Sequence, residues 1–396
     1  MDIEDRNNLV KQYFNRGYSY EEILFTLREL HNYTLSIRQL HRILRDFSLY
    51  RKKARLTELR DVISFIRRQL QGSGSLLGYR LMHQRCIQNG LNVTRRNVAI
   101  ILKELDPEGV ERRSRNVLKR RQYWSKGPNY VWHLDGYDKL KPFGFSIHGA
   151  IDGFSRRILW LKVAASNKDP AVVSNFYLET VRTLSGVPRK VVGDRGTENV
   201  FIAASQRFLR RADNDQSAGE RSFKYGRSVT NQRIEAWWSM LRRTCTNWWI
   251  NFFRSLIDDD IFDTSNIIHC ECIKFCFYQM LKRDLDNTML SWNNHRIRRA
   301  MNSDRKVRPA GRPNVLYFTP QLSDASIRDY KFPLDLFDFN VVKDLCCKTI
   351  VTDYICSSEF FELAHIIIQE YSLNIPNTAG EGIDLFKTLI DKIGRI

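Results

Sequence analysis

The sequence has no apolar run approaching the roughly 18 residues that a membrane-spanning helix needs. Its opening stretch, MDIEDRNNLV, is polar and acidic, without the basic flank and apolar run of a secretory signal. Cysteine is sparse, with eight residues at positions 86, 245, 270, 272, 276, 346, 347 and 356, inside hydrophobic stretches. That usage fits reduced thiols in a cytosolic or nuclear compartment. No C-x2-C pair occurs. His269, Cys270, Cys272 and Cys276 fall in IIHCECIKFCFYQML, which reads as one buried helix, so packing outweighs zinc there. These absences point to a soluble, intracellular chain with no membrane partner.

Hydrophobic residues make up 43% and aromatics 12%, enough to build cores and to exclude a wholly disordered chain. The 396 residues predict two to four domains, at roughly 100–200 residues each. Lys and Arg total 63 against 44 Asp and Glu, a net charge of +19, which implies a polyanionic partner and nucleic acid before any other. The charge is uneven. Residues 1–314 carry 56 basic against 32 acidic side chains, whereas 315–396 carry 7 against 12. The sign changes near the stretch RPAGRPN at 308–314.

The first 50 residues predict three short helices. RNNLVKQYFNRG places Leu9, Val10, Tyr13 and Phe14 on one side and stops at Gly17. Ser19 and Glu22 form a capping box ahead of Ile23, Leu24, Leu27 and Leu30. Ser36 caps IRQLHRILRDF, whose second face offers Arg38, Gln39, Arg42 and Arg45. The pattern then recurs. Residues 56–71 are amphipathic, GSGS interrupts at 72–75, GYRLMHQRCIQNG predicts a helix ending at Gly90, and RRNVAIILKEL predicts another that opens with Arg95 and Arg96. ERRSRNVLKRRQYWSK, 111–126, holds seven Lys and Arg, among them Lys119, Arg120 and Arg121, with little periodicity. It reads as a basic connector able to track phosphates.

From Pro128 the pattern changes to short β-type runs. NYVWHLDGYDKL (129–140), FGFSIHGAID (143–152) and RRILWLKVA (156–164) predict a three-strand antiparallel meander. A helix at 170–186, a buried strand KVVGD at 190–194, a helix near 197–209 and a long one at 230–250 follow, the order of an RNase H-like fold. This order brings three carboxylates together: Asp135 ends the first strand, Asp194 ends the fourth, and Glu235 lies on the long helix with forty residues between it and Asp194. Clustered acids repel one another. A divalent cation such as Mg2+ resolves that conflict, and two can clamp the attacking and leaving oxygens of a phosphodiester. On the long helix, Ile234, Trp237, Trp238, Leu241, Cys245 and Trp248 predict a buried stripe, while Asn231, Glu235, Ser239 and Arg242 share a polar face suited to a phosphodiester.

The PNYVWHLD strand, the AIDGFSR strand and turn, the GDRGTEN strand end and the helix start NQRIEAWW together resemble the catalytic core of retroviral-type integrases and related DDE transposases. The two N-terminal trios resemble helix-turn-helix modules, the second like the one in insertion-sequence transposases where a GYR-containing helix precedes the recognition helix. The resemblance implies an α/β protein. An RNase H-like core with a mixed five-stranded sheet follows the helical helix-turn-helix domains, and a mainly helical tail follows the core. The implied domains are a DNA-binding module at 1–52, a second at 53–110, a basic linker at 111–127, the core at 128–255, a helical extension at 256–314 and the acidic region at 315–396. It also implies that Asp135, Asp194 and Glu235 are the catalytic and metal-binding triad, loaded with Mg2+ or Mn2+ and with no small-molecule cofactor. Arg38, Arg42, Arg45, Arg95, Arg96, Lys119, Arg120, Arg121, Ser239 and Arg242 become the residues that meet DNA. A homo-oligomer is implied, working in the nucleus if the source is eukaryotic and otherwise in the cytoplasm. A domesticated DNA-binding descendant without catalysis and a metal-dependent nuclease are the alternatives.

The remaining acids have local explanations. Asp152 suits a turn, accepting from the backbone of Gly153–Ser155. Asp138 closes a strand end, and Glu198 with Asn199 begins a helix whose dipole favours the carboxylate. His133 shares a strand face with Asp135, and WNNHRIRRAMN at 292–302 is basic enough either to continue a DNA surface or to be a solvated helix. The tail's apolar clusters around Phe339 and Ile367 predict that it folds and packs on the protein or a partner subunit.

Overall fold

The computed structural model describes residues 3–50, 56–114, 123–226, 231–298, 309–347 and 354–395. The chain forms two compact units. The first takes Met1–Tyr130, Asp152–Arg157 and Leu290–Tyr330; the second takes Val131–Ile151, Ile158–Met289 and Lys331–Ile396.

In the first unit, helices α1 (Ile3–Asn15), α2 (Tyr20–His31) and α3 (Ile37–Asp46) enclose Val10, Tyr13, Ile23, Leu27, Leu40, Ile43 and Leu44. Their ends are set by local chemistry. Gly17 takes a left-handed φ of 82° after α1, and Ser19 and Glu22 complete the expected capping box on α2. Ser36 does the same on α3 with Gln39. A second trio, α4 (Leu59–Leu70), α5 (Tyr79–Gln88) and α6 (Arg95–Leu105), surrounds Val62, Ile66, Met82, Cys86, Val98 and Leu102. The basic stretch begins inside a further helix, α7 (Pro107–Ser114), where the sequence predicts an irregular connector. The signal is upstream: Pro107 fits the first helical turn, Asp106 Oδ1 accepts from the Gly109 N–H at 3.0 Å, and Arg113 pairs with Asp106 at 2.9 Å.

Strands β1 (Trp132–Tyr137), β2 (Ser146–Asp152) and β3 (Ile158–Ala164) come next, followed by α8 (Pro170–Thr183), the two-residue β4 (Gly186–Val187), β5 (Val191–Gly193), α9 (Val200–Leu209) and β6 (Phe223–Tyr225). The principal sheet has the order β3-β2-β1-β5-β6, with β2 antiparallel to β3 and β5 parallel to both β1 and β6. It is the mixed five-stranded sheet of an RNase H-like core. β6 is only FKY, too short to leave a period-two pattern in the sequence.

Helix α10 (Gln232–Leu241) continues through a π turn at Arg242–Thr246 into α11 (Asn247–Asp258), so the single long helix expected at 230–250 is interrupted. The wider turn steps the buried stripe from Cys245 to Trp249, leaving Trp248 half-buried. Next are α12 (Ile267–Asn294), which buries Cys272 and Cys276, and α13 (Pro313–Phe318). β7 (Phe332–Pro333), antiparallel to β4, leads to α14 (Leu336–Cys346), α15 (Ser358–Glu370) and α16 (Ala379–Ile393). No helix among the described residues is long and apolar enough to cross a membrane.

The end of RPAGRPN and the residue after it are built into the first unit. Arg312 pairs with Glu22 at 3.2 Å and reaches the carbonyls of Gly17 and Asn294, while Val315 joins the α1–α3 core. Asp152 is fully buried there and accepts from the N–H of Asn129, Phe154 and Ser155 and from the Ser155 hydroxyl, the turn role its sequence context suggests. Burial still pushes its carboxyl up to about 6 against those donors. In the second unit, Trp132, Leu134, Trp160, Val173, Tyr177, Val181 and Ile202 form the core under the sheet, and Phe339 and Val342 of α14 complete it. The acidic region thus folds, as its apolar clusters imply, and Asp338 forks onto Arg211 at 2.6 and 2.7 Å.

Arg210 is wholly buried in this unit. It pairs with Asp213 and Asp215, donates to the Arg189 carbonyl and lies 3.6 Å from the centroid of the Phe332 ring. Arg210→Met would take this partner from Asp213 and leave Asp215 only its pair with Arg189 at 3.0 Å. It should cost about 3–5 kcal/mol of stability, and a denaturant midpoint equal to wild type would contradict that role.

Candidate active site

β1 has two faces. Trp132 and Leu134 point into the core, and His133 and Asp135 point the other way. α10 covers that second face. Asn231, 1% exposed at the helix start, accepts from His133 Nδ1 at 2.8 Å through its Oδ1 and donates through Nδ2 to the Leu134 carbonyl at 2.8 Å. Seven residues on, two helical turns away on the same face, Trp238 Nε1 donates to Asp135 Oδ2 at 2.9 Å. The Tyr137 hydroxyl meets Thr246 Oγ1 at 2.7 Å and fixes the far end. Asn231 is therefore part of the anchor, not of the outward polar face on which the sequence pattern placed it. Glu235, Ser239 and Arg242 are exposed.

Asp194 follows β5, whose parallel register pairs Trp132 with Val191 and His133 with Val192. Continued by two residues, that register sets Asp194 beside Asp135. Gly193 permits the approach, because a Cβ there would lie 2.9 Å from Leu134 Cδ1. Asp194 Oδ1 accepts from the Gly196 N–H at 3.1 Å and from Asn199 Nδ2 at 2.7 Å, so the buried Asn199 orients it. Glu198 and Asn199 occupy the 3-10 turn Thr197–Asn199 that leads into α9, near the helix start expected for them.

The three acids feel one another. Burial pushes the Asp135 carboxyl up to about 7, the Trp238 N–H opposes the shift, and the charges of Glu235 and Asp194 add to it. Glu235 is raised by its own partial burial and by Asp194. Glu198 is raised chiefly by burial, with the charges of Asp194 and Asp138 also contributing. Burial holds His133 down to about 4, so it is a neutral partner of Asn231 at physiological pH. The donors are all oxygen, the set that suits Mg2+ or Mn2+, and a cation would relieve the repulsion. Among the described residues, no group of three or more His, Cys, Asp or Glu side chains stands close enough together to hold a metal ion.

Residues 122–311 match the family model of the integrase core domain. The chain carries an integrase core. The match supports a fold of the polynucleotidyl-transferase type, and no curated protein matches the chain. The matched stretch of the integrase core contains all three acids and extends past residue 255, the end expected from the sequence.

Away from the acids, Arg38, Arg42 and Arg45 are exposed on α3, and Arg95 and Arg96 are exposed at the start of α6. Lys119, Arg120 and Arg121 lie outside the described residues. In the 292–302 stretch, Trp292 donates to the Arg156 carbonyl at 2.7 Å, and Arg296 and Arg298 are exposed. Sequence reasoning missed Trp238 and Asn199 as partners of the acids. The sevenfold spacing of Asn231 and Trp238 was the available signal for the first.

The raised Asp135 carboxyl makes a pH-dependent prediction for the metal-free protein. The folded chain holds a proton on Asp135 that the unfolded chain releases near pH 4, so ionisation costs stability as pH rises from about 4 to about 7. Asp135→Asn should stabilise the protein by about 1–3 kcal/mol at pH 8 and leave it unchanged near pH 4. Thermal melts in chelator at both pH values check this, and an equal effect at both would contradict the repulsion.

Proposed function

We propose that this chain is a transposon-derived DDE integrase or transposase that cuts DNA and joins it to a target by divalent-metal-dependent strand transfer. The observation that supports this most is the convergence of Asp135, Asp194 and Glu235 on one edge of an integrase core, each placed by a different element. Mg2+ or Mn2+ held by these three would activate the attacking oxygen and offset charge on the phosphate. Asp194, fixed by Asn199 and Gly196 through one oxygen, presents the other. Glu235 approaches from α10, and on the same exposed side Ser239 can donate to a phosphate oxygen while the Arg242 guanidinium neutralises its charge. Water or a DNA 3′-hydroxyl serves as the nucleophile, so no protein-linked intermediate is required.

The two N-terminal trios act in this reading as helix-turn-helix modules, with α3 and α6 facing DNA through their exposed arginines. Lys119, Arg120 and Arg121 extend the phosphate contacts. The protein works as a homo-oligomer, in the nucleus if its host is eukaryotic and otherwise in the cytoplasm.

Two experiments test this. Purified protein with labelled duplex from the flanks of its own gene and Mg2+ or Mn2+ should give joined product. Nicked product alone would mean a nuclease, and a shifted complex alone would mean a domesticated binding protein. Asp194→Asn or Glu235→Gln should lower cleavage on the order of a hundredfold or more with DNA affinity retained, and a variant cutting at wild-type rate would overturn the assignment. In the second, replacing Arg38, Arg42 and Arg45 together by Ala should flatten the slope of log affinity against log salt by about 2–3, at about 0.9 per phosphate contact. An unchanged slope would move α3 away from DNA.

A further inference from the structure

α10 carries Glu235 outward and, three residues later, turns Trp238 inward against Asp135. The indole is 6% exposed and is held from several sides. Its ring centroid lies 5.2 Å from that of Tyr137 and 5.4 Å from that of Trp237. β2 leaves a slot for it at Gly149, where a Cβ would lie 2.8 Å from Trp238 Cη2. The helix that bears it is fixed to β1 by Asn231. The N–H therefore meets Asp135 Oδ2 from a ring with little freedom to leave.

We propose that Trp238 is a positioning residue of the acidic site: its indole N–H pins one oxygen of Asp135 and thereby aims the other at the divalent ion. This rests on the metal-site reading given above and adds a residue to it. An indole N–H suits the task. It is a donor only, so it cannot compete for the cation, and it carries no charge to offset the carboxylate. Pinning one oxygen removes the rotation about the Cβ–Cγ bond that a free carboxylate loses on ligation. The same helix turn sets the height of Glu235, so the indole also ties the placement of the first acid to that of the third.

The test uses the full chain with Mn2+ as the probe, its affinity measured by calorimetry or by the loss of the free-ion paramagnetic signal. Trp238→Phe keeps the ring and removes the N–H. It should weaken Mn2+ binding about tenfold while leaving the melting temperature of the metal-free protein within a few degrees of wild type. Where cleavage is measured, kcat should fall and the KM for DNA should hold. Trp238→His, which restores a ring N–H, should recover part of the loss. Gly149→Ala displaces the indole without altering any acid and should weaken Mn2+ binding in the same direction, which keeps the inference testable if Trp238→Phe does not fold. Wild-type Mn2+ affinity in Trp238→Phe or in Gly149→Ala, alongside a loss in Asp194→Asn, would overturn the positioning role and leave the metal site standing. A wild-type chain that binds no Mn2+ at millimolar concentration would overturn both.

Discussion

The attachment of α10 to β1 governs the acidic edge. A helix carrying a carboxylate toward two others is pushed away by them, and a helix with an apolar stripe alone could slide or rotate by a few residues at small cost. Asn231 removes that freedom by bonding at once to a side chain and to a backbone carbonyl of the same strand. Both bonds are buried, where leaving a partner unpaired is expensive, so the register of helix on strand is specified. His133 contributes because burial keeps it neutral, able to share a hydrogen bond without adding charge beside Asp135. The glycines at 149 and 193 serve the same end from the sheet side, one admitting the Trp238 ring and the other letting β5 close on Leu134.

Much of this architecture is legible in the sequence because short-range rules dominate it. The capping boxes at Ser19 and Ser36, the left-handed glycines at 17 and 90 and the alternating runs of β1 to β3 each act within a few residues. The position of Asp194 follows from a strand end and that of Glu235 from helical periodicity, whereas Asp135, expected to end its strand, lies inside β1 two residues before the end. What stayed hidden is set by distant partners. β6 is defined by the edge of β5 more than by its own three residues. The π turn at Arg242–Thr246 breaks a stripe that looks continuous; α7 is the exception, a helix whose local signal, Asp106 and Pro107, sits just ahead of a basic run that masks it. Asn231 looked like part of a polar face because it is polar. Only the strand beneath shows that its amide faces inward.

The acidic C-terminal region illustrates how charge and packing divide the work. Its balance is negative beside a basic body, and its apolar clusters carry the packing: Phe339 and Val342 are part of the core under the sheet. The exposed Arg211–Asp338 fork, screened by solvent, adds orientation more than stability. The dominant contribution is burial of apolar surface.

The central claim is that Asp135, Asp194 and Glu235 share divalent metal. The most direct measurement is anomalous scattering from crystals of the full chain soaked in Mn2+. The account predicts anomalous density within ligand distance of Asp135 and Asp194, lost in Asp194→Asn. Density confined to other surface acids, with none between these two, would contradict it.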